Sequence, residues 1–567
     1  MNAHSPNLVA KPDRLRLVGQ KRKLLSMMHQ RLMLGLLLFA GAIALVGVRI
    51  GWLAVFGDAS GRSEFVAGFV PERGDIVDRD GEALARTIDA WSIAVQPKKI
   101  IGSKMELAQS LATIFPDRSA AELYDMLTAD KNFAYLQRRA SPSMVEAVNA
   151  LGEPGIQLMR EPDRLYPQTA LAAHVIGYTD VDGNGVAGAE RGFDAWLTDP
   201  ARRAEPVQLA ISSRIQQALK AELAAAMEKF SAIGAAGVIM DIHTGEILAM
   251  TSLPQLNPNV AGQGSDDARF NRATVGVYEL GSTFKPFTVA MAMDAGIVKS
   301  FSQMYPCPEK LKVGNRLIGD THPFGRACSV AEIMQESSNV GTAQIALQLG
   351  AKRQKEFLKK MGFLSRLDFE LPERSATLYP SDWSEVATAT VGYGHGISVS
   401  PLHLATGYAA LFNGGIHRKP TILKVGPGHP ADKGERVFSE DTSYKMRALM
   451  RLVVTEGTGR KADAPGYRVG GKTGTAEKVV NGRYVRQLVV NSFAGVFPMD
   501  EPRYVAVVML DEPKGTKETY GFRTAGWNVA PVVSGTISRI APMLGVRPDM
   551  EREPDMSTVL PYVELKD

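Results

Sequence analysis

Gly281-Ser282-Thr283-Phe284-Lys285-Pro286-Phe287 sets a serine three residues ahead of a lysine at the head of an apolar run. On a helix, residues three apart share one face, so Ser282 and Lys285 can touch. A serine hydroxyl is a poor nucleophile at neutral pH, and an adjacent base is what activates it. Further along come Ser337-Ser338-Asn339 and Lys472-Thr473-Gly474-Thr475. Each short pattern is weak alone, and the information lies in their order and wide separation. Together they spell an acyl-transfer site.

The segments around these motifs predict an α+β fold. Residues 236–241 and 246–250 are apolar runs joined by a turn at His243-Thr244-Gly245, which reads as a hairpin, and residues 491–498 and 503–510 form another across a Pro-containing turn. Strands from both ends of the domain would share one antiparallel sheet with helices on its faces. Ser282 would start a central buried helix, where Pro286 is tolerated because first-turn N–H groups lack intrahelical partners. Residues 215–227 read as an Ala-rich helix leading into this domain. Earlier, Asp80-Gly81 lies between short apolar runs and reads as a hairpin turn.

A length of 567 residues with 45% hydrophobic content implies two or three domains. The formal charge of +5 sits at the start of the chain: residues 1–31 hold seven basic residues against Asp13, leaving the rest nearly neutral. That excludes a basic nucleic-acid surface and fits the positive-inside rule. Residues 32–48 carry no charge. With Arg49 able to snorkel and Trp52 suited to an interface, residues 32–56 read as a membrane anchor rather than a cleaved signal peptide. A cytoplasmic arm at 1–31 would put everything after about residue 57 on the outer side. The two cysteines, Cys307 and Cys328, fall in that exported part, where a disulfide is allowed and two free thiols are the alternative. No His or Cys spacing suggests a metal, and the chemistry needs no cofactor.

The three motifs, Ser282-x-x-Lys285, Ser337-x-Asn339 and Lys472-Thr473-Gly474, resemble those of penicillin-binding proteins and serine β-lactamases. The stretch from Arg73-Gly74-Asp75 through Gly81 to Leu84-Ala85, then Arg164-Leu165-Tyr166-Pro167, Gly177-Tyr178 and residues 188–192, looks like the non-catalytic pedestal of the class B penicillin-binding proteins. The resemblance spans about residues 60–545. It implies a pedestal (dimerisation) domain over 57–225, a transpeptidase domain over 226–545 and a tail over 546–567. Two positions depart from the family pattern. Leu280 stands where a proline is common, and Ser212 stands where an acidic residue is usual, a change expected to affect local capping only.

Roles follow from the resemblance. Ser282 attacks a peptide carbonyl and Lys285 takes its proton, which requires an amine kept neutral by burial, a nearby positive charge and the helix N-terminus. Ser337 relays the proton, and Asn339 holds the substrate backbone. Lys472, Thr473 and Thr475 bind the terminal carboxylate, and Gly474 lets substrate approach the strand. Backbone N–H groups of Ser282 and Thr475 form the oxyanion hole, worth about 3 kcal/mol per donor. His322 and His395 read as packing residues, and Glu456 as a positioning residue.

The expected function is a serine D,D-transpeptidase that cross-links peptidoglycan stem peptides at the division septum and is acylated by β-lactams. Its implied location is a bacterial inner membrane, crossed once, with the N-terminus cytoplasmic and the catalytic domain periplasmic. Implied partners are a polytopic glycan polymerase and other division proteins. The elongation-type enzyme is the nearest rival. A D,D-carboxypeptidase or β-lactamase would pass the acyl group to water and seldom carries so large a pedestal. A β-lactam sensor would need a cytoplasmic signalling domain, for which the short arm leaves no room, and a non-catalytic division scaffold would not need intact motifs.

Overall fold

The computed structural model describes residues 27–28, 31–48, 73–480 and 482–565. It divides after residue 70. In the first part, helix α1 (Arg31–Val48) has 18 residues and is long and apolar enough to cross a membrane. At 1.5 Å per residue it spans about 27 Å, close to the hydrocarbon thickness of a bilayer. The expected continuation through residues 49–56, and the basic arm before residue 27, lie outside the described residues.

The second part begins with the pedestal, built on the long strand Ala83–Val95. This strand pairs antiparallel with Ile76–Val77, Ala134–Ala140 and Ile156–Leu165. The expected turn at Asp80-Gly81 joins the first two of these strands, and Gly81 adopts φ +91°. Helices Lys104–Ile114, Ala120–Thr128 and Pro142–Asn149 cover the sheet with Leu107, Leu111, Leu123, Leu127 and Val148. A buried ion cluster closes its base: Glu190 accepts from Arg73 Nε at 2.6 Å and from Arg164 Nε at 2.7 Å, and Arg73 also reaches Asp194 at 2.7 Å.

Helix α2 (Ser213–Lys229) carries the chain into the catalytic domain. Ser212 supplies no side-chain cap. Instead Asp78, in the pedestal's first turn, accepts from the Ser213 N–H at 3.1 Å while its other oxygen accepts from the N–H groups of Asp80 and Glu82. One carboxylate thus closes the pedestal turn and caps the next domain's first helix.

The catalytic sheet has five antiparallel strands: β1 (Gly234–Asp241), β2 (Ile247–Leu253), β3 (Gly470–Val480), β4 (Arg483–Phe497) and β5 (Tyr504–Asp511), in the order β3-β4-β5-β1-β2. Both predicted hairpins are present, and the ends of the domain meet where β5 pairs with β1. The strands alternate sides with period two. Ile239, Phe493, Val508 and Leu510 pack with Leu219 and Leu223 of α2 and with Val529 and Val533 of α6 (Ala525–Ile540). Val238, Met240, Ala494, Val505 and Val507 face the other core, which holds α3 (Lys285–Asp294), α4 (Asn339–Leu349) and α5 (Pro401–Phe412). Burial on both faces explains why these strands read as nearly continuous apolar runs.

Cys307 and Cys328 are joined by a disulfide with Cα atoms 5.9 Å apart, on the paired strands Met304–Cys307 and Arg326–Ser329. Residues 546–565 run back over the catalytic domain, where Val559 is fully buried and Arg451 holds Glu553 by two bonds at 2.6 and 2.7 Å.

Removing the carboxylate at Glu190 leaves two buried guanidinium groups without their shared partner. Glu190→Ala is expected to lower unfolding stability by about 3–5 kcal/mol in urea denaturation, and a loss under about 1 kcal/mol would contradict the assigned role of the cluster.

Candidate active site

A short 3₁₀ turn, Gly281–Phe284, carries Ser282 into α3. Gly281 adopts φ +55°, a left-handed conformation that costs glycine little, and its N–H donates to the Gly394 carbonyl at 3.3 Å. Below the turn, Phe284, Phe287, Phe363 and Tyr408 pack edge-on or tilted with ring centroids 5.1–5.7 Å apart. The Tyr408 hydroxyl donates to the Thr283 carbonyl at 3.0 Å, so the turn is fixed by both packing and hydrogen bonding. Pro286 sits in the first turn of α3, as expected.

Lys285 is fully buried. Its amine donates to the Ser337 carbonyl and, at 3.1 Å, to the Ser337 hydroxyl, so its partner in the resting site is the second motif rather than Ser282. Burial holds its pKa well below the ordinary 10.5, and the nearby Lys472 charge pushes the same way, against a smaller opposing effect of Asp320. Ser337 adopts φ +60°, a left-handed conformation unusual for a residue with a side chain. Its carbonyl and hydroxyl both meet one amine.

Asn339 opens α4, and the excursion closed by the disulfide holds it there. Asn339 Nδ2 donates to the Gly319 carbonyl at 3.3 Å. Asp320 accepts from the N–H groups of Asn339 and Val340 at 2.5 and 3.1 Å and from the Ser338 hydroxyl at 2.6 Å. This carboxylate satisfies the free donors at the N-terminus of α4. Ser338 also accepts from the Gly341 N–H, the structural role of a cap.

Lys472, Thr473, Gly474 and Thr475 lie on β3, which among the described strands pairs only with β4 and so leaves its other edge to the cleft. Lys472 is fully buried, and its amine donates to Thr458 Oγ1 at 3.1 Å. Thr473 donates to the same Thr458 oxygen at 3.0 Å. Burial lowers the Lys472 pKa to about 7, with Glu336 opposing. Thr475 is exposed, and its hydroxyl accepts from the Ala525 N–H at 3.0 Å.

A cleft of about 450 Å³ gathers Ser282, Ser337, Asn339, Thr473 and Thr475, with His322, His395 and Trp527 also on its wall. Lys285 and Lys472 lie beneath it. Gly474 also has a structural reason: a Cβ there would lie 2.2 Å from the Leu280 carbonyl oxygen, 2.8 Å from Ser492 Oγ and 3.0 Å from Thr283 Cγ2. The missing side chain admits the turn that carries Ser282. His395 stands on the wall with its pKa lowered to about 4, chiefly by burial, which keeps the ring neutral at pH 7.

Asp320, Thr458 and Gln335 escaped the sequence reading. Thr458 lies two residues past Glu456, whose backbone carbonyl accepts from Gln335 Nε2 at 3.1 Å. Asp320 follows an unremarkable hairpin and belongs to no motif.

The arrangement offers a hydroxyl, an amine whose charged form burial disfavours, a second hydroxyl bonded to it and an open strand edge with a second lysine beside it, the parts needed for acyl transfer to and from a serine. The sequence matches the family described as penicillin-binding protein transpeptidase domain over residues 235–532, and that described as penicillin-binding protein dimerisation domain over residues 69–192. It is 40% identical over 518 residues to the probable peptidoglycan D,D-transpeptidase FtsI of Caulobacter vibrioides, covering 88% of this chain and 87% of that one. The peptidoglycan D,D-transpeptidase FtsI of Escherichia coli is 32% identical over 547 residues, covering 90% and 91%. Among solved structures, penicillin-binding protein 3 of Mycobacterium tuberculosis complexed with aztreonam superposes with a TM-score of 0.67 at 26% identity, covering 84% of this chain and 97% of that one.

A methyl group at position 474 must displace the Ser282 turn. Gly474→Ala is expected to slow covalent labelling by a fluorescent β-lactam about 100-fold, the scale of a misplacement of roughly 1 Å. Labelling at the wild-type rate would show that the turn tolerates the shift.

Proposed function

The chain belongs to the class B penicillin-binding proteins and is a serine peptidoglycan D,D-transpeptidase of the septal kind, and on that premise we propose how its own residues perform the reaction. Ser282 attacks the carbonyl between the two D-alanines of a stem peptide, and Lys285 accepts the hydroxyl proton. The tetrahedral oxyanion lies against the backbone N–H groups of Ser282 and Thr475. Ser337, bonded to Lys285, relays the proton to the departing D-alanine amine. An acceptor amine from a second stem peptide then attacks the acyl-serine, giving up its proton along the same path and releasing the cross-linked product.

The observation that carries this reading is the buried Lys285 amine bonded to Ser337, in the cleft wall where Ser282 and the β3 edge meet. Only a neutral amine can accept a proton, and burial beside a second lysine is what makes it neutral. Asn339 and the free edge of β3 hold the extended donor peptide, while Lys472, Thr473 and Thr475 receive its terminal carboxylate. Gly474 acts through the Ser282 turn. β-Lactams acylate the same serine.

The wider arrangement is proposed on the same footing. Residues 1–31 form a cytoplasmic arm, 32–56 a single membrane span, 57–225 the pedestal, 226–545 the transpeptidase domain and 546–567 a tail. The basic arm supports an orientation with the catalytic domain in the periplasm. A polytopic glycan polymerase supplies nascent strands, and other division proteins gather around the pedestal.

Two outcomes test the proposal. Intact mass after penicillin should show one stable adduct on the wild-type chain and none on Ser282→Ala; an adduct on the variant would remove Ser282 from its role. The second-order acylation rate should be bell-shaped in pH. It falls on the acid side as Lys285 gains a proton at a pKa far below 10.5, and on the alkaline side from about pH 7 as Lys472 loses its charge. A rate that climbs steadily to pH 10 would contradict both assignments.

A further inference from the structure

The short helix Val330–Gln335 leads directly into Ser337, and the last described stretch of the chain lies along it. At its start the Ser329 hydroxyl caps Glu332 N and donates to the Tyr562 carbonyl, both at 3.1 Å. At its end Gln335, 2% exposed, donates from one nitrogen, Nε2, to the Glu564 carbonyl at 2.9 Å and to the Glu456 carbonyl at 3.1 Å. An amide nitrogen has two hydrogens, so both are used. One goes to the C-terminal segment, the other to the turn after the helix Glu440–Thr455.

That turn serves the third motif. A Cβ at Gly457 would lie 2.7 Å from the Gln335 carbonyl oxygen, so the turn rests against the Gln335 backbone as well as its side chain. The next residue, Thr458, holds Lys472 and Thr473. The C-terminal segment is itself anchored, with Val559 buried in the core that contains Ile333 and Met334.

We infer that Gln335 is a positioning residue for acyl transfer, and that residues 560–565 act through it to hold the second motif in register with the third. Gln335 reaches neither Ser282 nor the β3 edge. It fixes the base of the segment whose Ser337 carbonyl and hydroxyl hold Lys285, and the turn whose Thr458 holds Lys472. Cutting this link lets the two cradles move relative to each other, which slows the chemical step more than it weakens ligand binding. The inference rests on the reading of Ser282 as the acylated serine.

The test uses the full-length chain in detergent and penicillin, with initial binding separated from the acylation rate constant. Wild type is compared with Gln335→Met, with a chain ending at Val559, and with the two changes combined. The acylation rate constant should fall at least about tenfold in each single variant, with initial binding changed less than about threefold. The combined variant should be within about twofold of the slower single one, because the C-terminal segment acts through Gln335 and has nothing left to act on once that amide is gone. Single variants that acylate at the wild-type rate, or losses that multiply, would overturn the inference. If the truncated chain does not fold, Gln335→Met decides by the same thresholds. Wild type that is not acylated at all would overturn the underlying reading of Ser282 and this inference with it, whereas acylated wild type with equal variants overturns this inference alone.

Discussion

Lys285 is buried to the last atom with its amine against Ser337, and the rest of the catalytic domain is arranged around that burial. An ammonium in such a place would lose several kcal/mol of hydration with no carboxylate to bond it directly. Burial therefore favours the neutral amine, which turns a structural cost into a capacity to accept a proton. Lys472, buried close enough to repel it, strengthens the effect. Asp320 weakens it, yet its oxygens are taken by the N-terminus of α4 and by Ser338, so the carboxylate is occupied in fixing the second motif.

Keeping an amine dry requires walls that do not move. The Phe284, Phe287, Phe363 and Tyr408 cluster supports the Ser282 turn from below, and the sheet supports it from the side, where Gly474 lets the Leu280 carbonyl approach. The sheet joins residues from both ends of the domain through the pairing of β5 with β1. The three motifs therefore converge although more than 180 residues separate the first from the last. The pedestal enters the same logic through Asp78, which caps α2 and so links the catalytic domain's first helix to the turn before the long pedestal strand.

Much of this was legible in the sequence because it rests on side-chain identity and period. The hairpins, the buried helix after Ser282, the lowered lysine pKa and the apolar N-terminal helix all follow from pattern and elementary electrostatics. The disulfide was left open, since only folding brings Cys307 and Cys328 to adjacent paired strands. Supports that act through backbone groups left no trace. Gln335 bonds two carbonyls, and any residue can supply a carbonyl; Asp320 bonds backbone N–H groups at a helix start 19 residues away. The packing of the Leu280 carbonyl against Gly474 was hidden for a related reason, because an absent side chain makes room without indicating for what. Ser282 lies in the 3₁₀ turn ahead of α3 and Lys285 is the first residue of that helix, and the resting amine bonds Ser337.

The claim beneath all of this is that Lys285 is uncharged at neutral pH before substrate arrives. It is tested most directly by ¹³C NMR of lysine side chains in the protein, with Lys285→Arg used to assign the signal. The account predicts a Lys285 resonance typical of a neutral amine at pH 7, titrating well below 10.5. A resonance that stays in the charged form up to about pH 10, the ordinary range for lysine, would contradict it.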